Sequence, residues 1–212
     1  MLARRAVHGL YAITPDELDT TILLRKTRLA LQGGAQILQY RNKTADAGLQ
    51  TRQAHALRQL TREFNATFIV NDDPRLAAAA DADGVHLGGD DGSVPAARAL
   101  LGEARIIGVS CYNRAPLAFE AVRQGADYVA FGAFFASAVK PGAVQAEVPM
   151  LRAARKELSV PIVAIGGIAL QNGAMLIEAG ADALAVISAL WNAPDIEQAA
   201  REFSTLFSKA FS

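Results

Sequence analysis

Pro161-Ile162-Val163-Ala164-Ile165-Gly166-Gly167-Ile168 and Gly180-Ala181-Asp182-Ala183-Leu184-Ala185-Val186-Ile187-Ser188 read as two strand-forming runs with room for a helix between them. Both runs are almost continuously apolar rather than alternating, the pattern of a parallel strand covered on both faces. The first strand run leads into Gly166-Gly167 and the second into Ser188. The second opens on a phrase that recurs at Gly125-Ala126-Asp127 and Gly33-Gly34-Ala35-Gln36, with the variant Asp81-Ala82-Asp83-Gly84. A glycine just past a helix satisfies the left-handed C′ position, so each copy predicts a helix turning into a strand.

Working outward, the same kind of run occurs at Gly9–Thr14, Ala35–Arg41, Thr67–Asn71, Gly84–Leu87, Arg105–Ser110 and Asp127–Phe131. With Pro161–Ile165 and Ala183–Ile187 this makes eight candidate strands. Segments of helical period separate them. The stripe Ile196, Ala199, Ala200, Phe203, Leu206, Phe207 is the clearest, and Leu57, Leu60 and Phe64 repeat it earlier. Pro116, Pro149 and Pro194 stand near helix starts, where a missing N–H costs little. Alternating strands and helices leave a closed barrel or an open doubly wound sheet. The repeating phrase, the clustering of polar and glycine residues after the strands, and the lack of Gly-x-Gly-x-x-Gly after the first strand favour the barrel. The expectation is a single (β/α)8 TIM barrel, residues 1–212 forming one catalytic domain.

Composition narrows the partners. Lys+Arg and Asp+Glu balance at 21 each in 212 residues, so no net basic charge favours nucleic acid or an anionic membrane surface. The longest weakly polar run, Tyr128 to Val139, is shorter than the ~20 residues of a membrane helix. Cys111 is the only cysteine, which excludes an intrachain disulfide and suits a reducing cytoplasm. The first residues do not read as a signal peptide. Oligomeric state has no signature in the sequence.

The strand ends carry the chemistry. Gln39, Arg41 and Lys43 alternate at the end of the second strand and point to one side, an arrangement suited to gripping an anion; a surface salt-bridge cluster is the plainer alternative. Asn71-Asp72 ends the third strand and Asp91 follows the fourth. Adjacent barrel strands would bring Asp72 and Asp91 together, and two like charges need a cation such as Mg2+, which takes one or two carboxylates plus substrate phosphates. Either acidic pair alone reads more often as a helix cap than as a ligand, as Asp73-Pro74 does, and the two together beside the cationic clamp reverse that preference. Ser110 can donate into the same mouth, without the His–Asp arrangement of a nucleophilic serine. Nothing lowers the Cys111 thiol pKa. The connection from Gly132 to Gly142 is rich in small residues and carries Lys140, a candidate flap cation. Gly166, Gly167, Ile187 and Ser188 lie where barrels of this class hold phosphate on backbone N–H groups. His86 reads as a packed or hydrogen-bonded histidine, and Trp191 as packing.

Taken in order, Gln39-x-Arg41-x-Lys43, Asn71-Asp72, Val85-His86-Leu87-Gly88 leading to Asp91, Gly108-Val109-Ser110, Lys140-Pro141, Ile165-Gly166-Gly167-Ile168 and Val186-Ile187-Ser188 resemble the thiamine-phosphate synthase family over about Gly9 to Ala189. The resemblance implies a cytoplasmic transferase joining 4-amino-2-methyl-5-hydroxymethylpyrimidine diphosphate to 4-methyl-5-(2-hydroxyethyl)thiazole phosphate, with one Mg2+ on Asp72 and Asp91. It implies that Gln39, Tyr40, Arg41, Asn42, Lys43, Asn71, Ser110 and Lys140 bind the pyrimidine diphosphate, with Arg41, Lys43, Ser110 and Lys140 catalytic. Ser137, Ala138, Val139, Gly166, Gly167, Ile187 and Ser188 would hold the thiazole phosphate. Where the family's flap usually reads Pro-Thr-x-Thr-Lys, this chain has Ala136-Ser137-Ala138-Val139-Lys140, so Val139 supplies no hydroxyl. Gly89-Asp90 likewise replaces the commoner Gln-Glu. Two alternatives share the fold: a thiazole tautomerase, with His86 its only obvious acid–base group, and a non-catalytic sensor of a phosphorylated ligand.

Overall fold

The structure is a computed structural model that describes residues 7–89, 91–136, 142 and 144–209. Its centre is a closed barrel of parallel strands in sequential order: β1 (Gly9–Ile13), β2 (Ile37–Tyr40), β3 (Thr67–Asn71), β4 (Gly84–Leu87), β5 (Ile106–Tyr112), β6 (Tyr128–Phe131), β7 (Ile162–Ile165) and β8 (Ala183–Val186). Closure comes from β1 pairing with both β2 and β8. The helices between them are α1 (Thr20–Gln32), α2 (Ala47–Glu63), α3 (Pro74–Ala79), α4 (Val94–Leu101), α5 (Ala115–Arg123), α6 (Val148–Glu157) and α7 (Leu170–Glu178). A short α8 (Ser188–Trp191) and the closing α9 (Ile196–Lys209) follow β8. This is the (β/α)8 TIM barrel that the strand count and spacing predict.

The elements form where the sequence gives local reasons. Asp73 accepts from the N–H groups of Arg75 and Leu76 with Pro74 behind it, so the Asp73-Pro74 helix start holds. Gly125 and Gly180 take φ +97° and +106° at helix ends, the left-handed conformation the repeated phrase requires. β2 is shorter than expected and β5 longer. The Tyr112 carbonyl accepts from Gly132 N–H at 3.0 Å, and the β5–β6 register shifts between Ser110 and Tyr112, which carries β5 past the expected end. A bulge of this kind re-aims side chains at a barrel rim.

Two buried layers result. Tyr11, Ile13, Ile37, Ile69, Tyr128, Val163 and Ala185 fill the barrel, while Leu10, Leu38, Phe68, Val129 and Leu184 pack between strands and helices. This alternation is the period-two geometry of strands covered on both faces. Trp191 is buried, and its Nε1–H donates to the Ile13 carbonyl at 2.5 Å. The repeated phrase has a second purpose at the N-terminal rim. Asp83, Asp127 and Asp182 each accept, through one oxygen, the N–H that opens the preceding strand's ladder: Phe68, Ile107 and Ile162 at 2.8, 2.8 and 2.7 Å. The same oxygens meet Arg58, Arg98 and Arg155 at 2.8, 2.7 and 2.8 Å. These staples recur every second strand.

Candidate active site

The C-terminal mouth gathers the candidate residues on adjacent strand ends. Gln39 and Arg41 both line a cavity of about 410 Å3, together with Asn71, His86 and Ser110. The alternation expected along β2 is observed. The side chains of Tyr40 and Asn42 turn the other way, toward the helices. Tyr40 donates its hydroxyl proton to Gln53 Oε1 at 2.8 Å, and Asn42 bonds Gln53, the Glu17 carbonyl and the turn at Thr44 and Ala45. Their expected place among the substrate contacts is therefore not supported by their side chains, which organise the outer layer.

Both clamp cations are already paired. Arg41 Nη1 lies 3.2 Å from Asp16 Oδ1, which also accepts Lys43 N–H at 2.7 Å. The Lys43 ammonium bonds Asp72. Asp72 adopts a left-handed φ of +65°, with its N–H on the His86 carbonyl at 2.8 Å, and this turn brings its carboxylate over Gly88. Asp91 reaches the same place from the other side. Its Oδ2 accepts Gly88 N–H at 2.9 Å, and a side chain at Gly88 would meet both carboxylates. Burial and then the Asp72 carboxylate push the Asp91 carboxyl above its ordinary range, against Gly88 N–H and Lys43. Among the described residues no group of three or more acidic, histidine or cysteine ligands forms. The crowded carboxylate pair nevertheless fits the small donor set that Mg2+ uses when substrate phosphates and water complete its shell.

Below the clamp, a line of side chains crosses the cavity floor. Gln39 Nε2 donates to Tyr11 Oη at 2.8 Å, Tyr11 and Tyr128 hydroxyls are 2.8 Å apart, Tyr128 Oη meets His86 Nδ1 at 2.9 Å, and His86 Nε2 meets Ser110 Oγ at 2.8 Å. A serine–histidine contact of this length invites a nucleophile reading. Burial lowers the imidazole to a pKa of about 4, however, and its other nitrogen faces a phenol rather than a carboxylate, so it is a poor base for activating Ser110. Burial pushes the Cys111 thiol up to about 12, which leaves it inert.

A second cavity of about 190 Å3 adjoins the first and is lined by Gly166, Gly167, Ile187 and Ser188, as expected, together with Ile168, Ala169 and Ala189. Among the described residues the N–H groups of Gly167, Ile168, Ser188 and Ala189 meet no backbone acceptor. Asn172 shapes this loop by accepting Ala169 N–H at 2.8 Å and donating to the Gly167 carbonyl at 3.1 Å. Gly167 needs to be glycine for a reason the sequence did not show. With φ +63°, a Cβ there would lie 2.4 Å from the Ala136 carbonyl oxygen, so glycine lets the Phe135–Ala136 segment close over the loop. The flap candidates Ser137, Ala138, Val139 and Lys140, and the departure at Asp90, lie outside the described residues.

Four contributors went unread in the sequence. Asp16 sits beyond β1 in the same relative place as the acidic residues after β3 and β4, a signal available in Thr14-Pro15-Asp16. Tyr11 and Tyr128 stand inside apolar strands and looked like core. Tyr112, at φ +53° and partly exposed, accepts Gly89 N–H at 3.2 Å and walls the larger cavity.

A (β/α)8 barrel whose mouth combines a guanidinium–ammonium clamp, a carboxylate pair and a glycine-lined cleft defines a class: barrel enzymes acting on phosphorylated small molecules. Comparison with known proteins narrows it. The family profile described as thiamine monophosphate synthase matches residues 10–190. The chain is 57% identical over 201 residues to thiamine-phosphate synthase of Methylobacillus flagellatus, covering 95% of this chain and 96% of that one. It is 53% identical over 205 residues to thiamine-phosphate synthase of Acidithiobacillus ferrooxidans, covering 95% and 94%. Among solved structures, thiamine phosphate pyrophosphorylase from Pyrococcus furiosus superposes with a TM-score of 0.89 at 35% identity over the whole of both chains. The chain belongs to the thiamine monophosphate synthase family, and it is a transferase. No helix among the described residues is long and apolar enough to cross a membrane.

Proposed function

We propose that the two adjoining cavities are the two substrate subsites of the thiamine-phosphate synthase reaction. The observation that carries this division is that Arg41 and Asn71 line the larger cavity, the Lys43–Asp72 ion pair and Asp91 follow at the ends of the same and neighbouring strands, and the glycine-lined cleft adjoins it. Gln39, Asn71 and Ser110 orient the aminopyrimidine of 4-amino-2-methyl-5-hydroxymethylpyrimidine diphosphate. Arg41 and Lys43, with Lys140 of the flap, hold its diphosphate. The backbone at Gly166, Gly167, Ile187 and Ser188 holds the phosphate of 4-methyl-5-(2-hydroxyethyl)thiazole phosphate, and the Ser137–Val139 segment of the flap completes that subsite.

The bond from the pyrimidine's methylene carbon to the diphosphate oxygen breaks, and its electron pair leaves on the diphosphate. The thiazole nitrogen then supplies a pair to that carbon, giving thiamine phosphate. Charge builds on the leaving oxygen, so fixed cations around it stabilise the transition state more than the substrate. Asp72 and Asp91 would hold one Mg2+, which neutralises diphosphate charge when bound. No side-chain nucleophile is required, in keeping with the poor base beside Ser110. The same property disfavours the tautomerase alternative, whose only obvious acid–base group is His86.

The test is a product assay with both substrates, with and without Mg2+, on wild type, Arg41→Ala and Gly167→Val. Arg41→Ala should raise KM for the pyrimidine diphosphate by on the order of 10-fold or more, since a charge-assisted bond contributes about 1.5–3 kcal/mol. Gly167→Val should chiefly impair thiazole phosphate, because its side chain would push the Ala136 carbonyl off that cleft. Equal loss for both substrates in both variants means the subsites are wrongly divided. No product from wild type with Mg2+ present ends the synthase reading.

A further inference from the structure

The hydrogen-bonded line across the cavity floor joins five strands: Gln39 on β2, Tyr11 on β1, Tyr128 on β6, His86 on β4 and Ser110 on β5. All five side chains also line the larger cavity. Tyr11, Tyr128, Gln39 and His86 are buried, so the polar atoms of the line depend on one another for partners. Each phenol has one proton to give, and so does a buried neutral imidazole. The protons are therefore ordered from end to end.

With the Gln39 amide oriented so that Nε2 donates to Tyr11, the Tyr11 proton goes to Tyr128 and the Tyr128 proton to His86 Nδ1. His86 then carries its own proton on Nε2 and gives it to Ser110 Oγ. The Ser110 proton is left to point into the cavity. At the other end, Gln39 keeps its carbonyl oxygen and second N–H for a ligand. Turning the Gln39 amide over would reverse every bond and leave Ser110 an acceptor. The two ends are thus coupled, and no single end can change alone without leaving a buried polar group unmatched.

We propose that Tyr11, Tyr128 and His86 are positioning residues that lock this polarity and so select a ring bearing an exocyclic amino group over its oxo counterpart. The proposal rests on reading this cavity as the pyrimidine subsite. A 4-aminopyrimidine gives an N–H and takes one at its amidine edge, matching the Gln39 carbonyl and amide. Its other ring nitrogen takes the Ser110 proton. Both ends ask for the same direction of the line. A 4-oxopyrimidine reverses donor and acceptor at the first edge yet still needs a donor from Ser110 at the far nitrogen. Its two ends ask for opposite directions, which a coupled line cannot supply together.

The experiment measures binding, which separates it from turnover. The 5-hydroxymethylpyrimidine diphosphate and its 4-oxo analogue are titrated calorimetrically into wild type and Tyr128→Phe, and His86 is observed by 15N NMR. Phenylalanine at 128 neither accepts from Tyr11 nor donates to His86, so it cuts the line without touching Gln39 or Ser110. Wild type should prefer the amino ring by on the order of 10³-fold or more, as sites built on matched buried hydrogen bonds do. Tyr128→Phe should lose at least ~10-fold of that preference, while thiazole phosphate binding stays unchanged. The His86 signal should be the Nε2–H tautomer in wild type. An Nδ1–H tautomer in wild type overturns the proposal. So does an undiminished preference in a Tyr128→Phe protein that melts cooperatively, and if that variant fails to fold, the wild-type tautomer and preference decide. Preferred binding of the amino ring without condensation to thiazole phosphate keeps the line and removes the synthase reading instead.

Discussion

Replacing Asp127 with alanine should be the most destabilising single change at the N-terminal rim, and its size follows from what the carboxylate holds. Asp127 Oδ2 accepts Ile107 N–H at 2.8 Å at the start of β5 and the Arg98 guanidinium at 2.7 Å. Ile107 is fully buried, so its N–H loses the carboxylate that accepts it, with no water to replace it. An unsatisfied buried donor costs about 1–3 kcal/mol, and losing a half-screened arginine pair adds roughly 1 more. The sum of about 2–4 kcal/mol corresponds to a fall in Tm of roughly 5–15 °C for a chain of this size. Asp83→Ala should come close behind and Asp182→Ala last, since the three carboxylate side chains are 25%, 31% and 40% exposed in the order Asp127, Asp83, Asp182. Asp127→Asn should recover part of the loss, because an amide oxygen still accepts the Ile107 N–H. The assay is thermal unfolding of all four variants, with kcat measured well below the transition. The rim lies across the barrel from the mouth, so kcat should hold. A Tm within about 2 °C of wild type for Asp127→Ala would refute the staple argument, as would a loss of kcat at full stability.

Two further outcomes follow from the ionisable groups. In metal-free protein at neutral pH, Asp91→Asn should melt at or above wild type, because the Asp91 carboxyl is raised by burial and by the Asp72 carboxylate. A raised acid contributes its stability below its unfolded pKa and loses it as pH rises through the folded one, so the advantage of the variant should vanish under acid conditions; a variant less stable than wild type at pH 7 would mean the two carboxylates do not oppose each other. Cys111, pushed up to about 12 by burial, should resist thiol reagents in native protein and react only after unfolding. Rapid native labelling would show that β5 opens locally.

Much of this molecule is readable along the chain because its causes are local. The run Thr67–Asn71 forms β3 with its expected bounds, and Gly84–Leu87 forms β4 likewise. The alternation Gln39, Arg41, Lys43 places the first two in the cavity lining and pairs the third with Asp72 at the end of β3. Asp72 and Asp91 meet because neighbouring strands end side by side. The cavity floor is the part that local pattern hides. Tyr11 and Tyr128 are 117 positions apart and their hydroxyls touch only after the barrel closes. Inside an apolar strand a tyrosine and a phenylalanine have the same periodicity, so nothing announces which one carries a working hydroxyl. Tyr40 and Asn42 present the opposite case: the family pattern groups them with the clamp, while the pleat sends their side chains toward Gln53 on α2 and leaves only their backbone on the clamp's side.

The two rims also show why an aspartate's role cannot be read from its neighbours in sequence. Asp83, Asp127 and Asp182 stand before strands, and each has an arginine and a backbone N–H on the same oxygen. Their charge is balanced within the protein, and a ligand would find no unmet demand there. Asp72 and Asp91 stand after strands. Among the described residues they have between them one ammonium, from Lys43, and one N–H, from Gly88, and they face each other. Two carboxylates sharing so few donors hold an excess of negative charge that a divalent cation relieves. In a barrel whose strands all run one way, donors from the preceding strand are free at the N-terminal rim, and the C-terminal rim offers only loop N–H groups. The direction of the strands thus decides which aspartates close the fold and which remain available for chemistry.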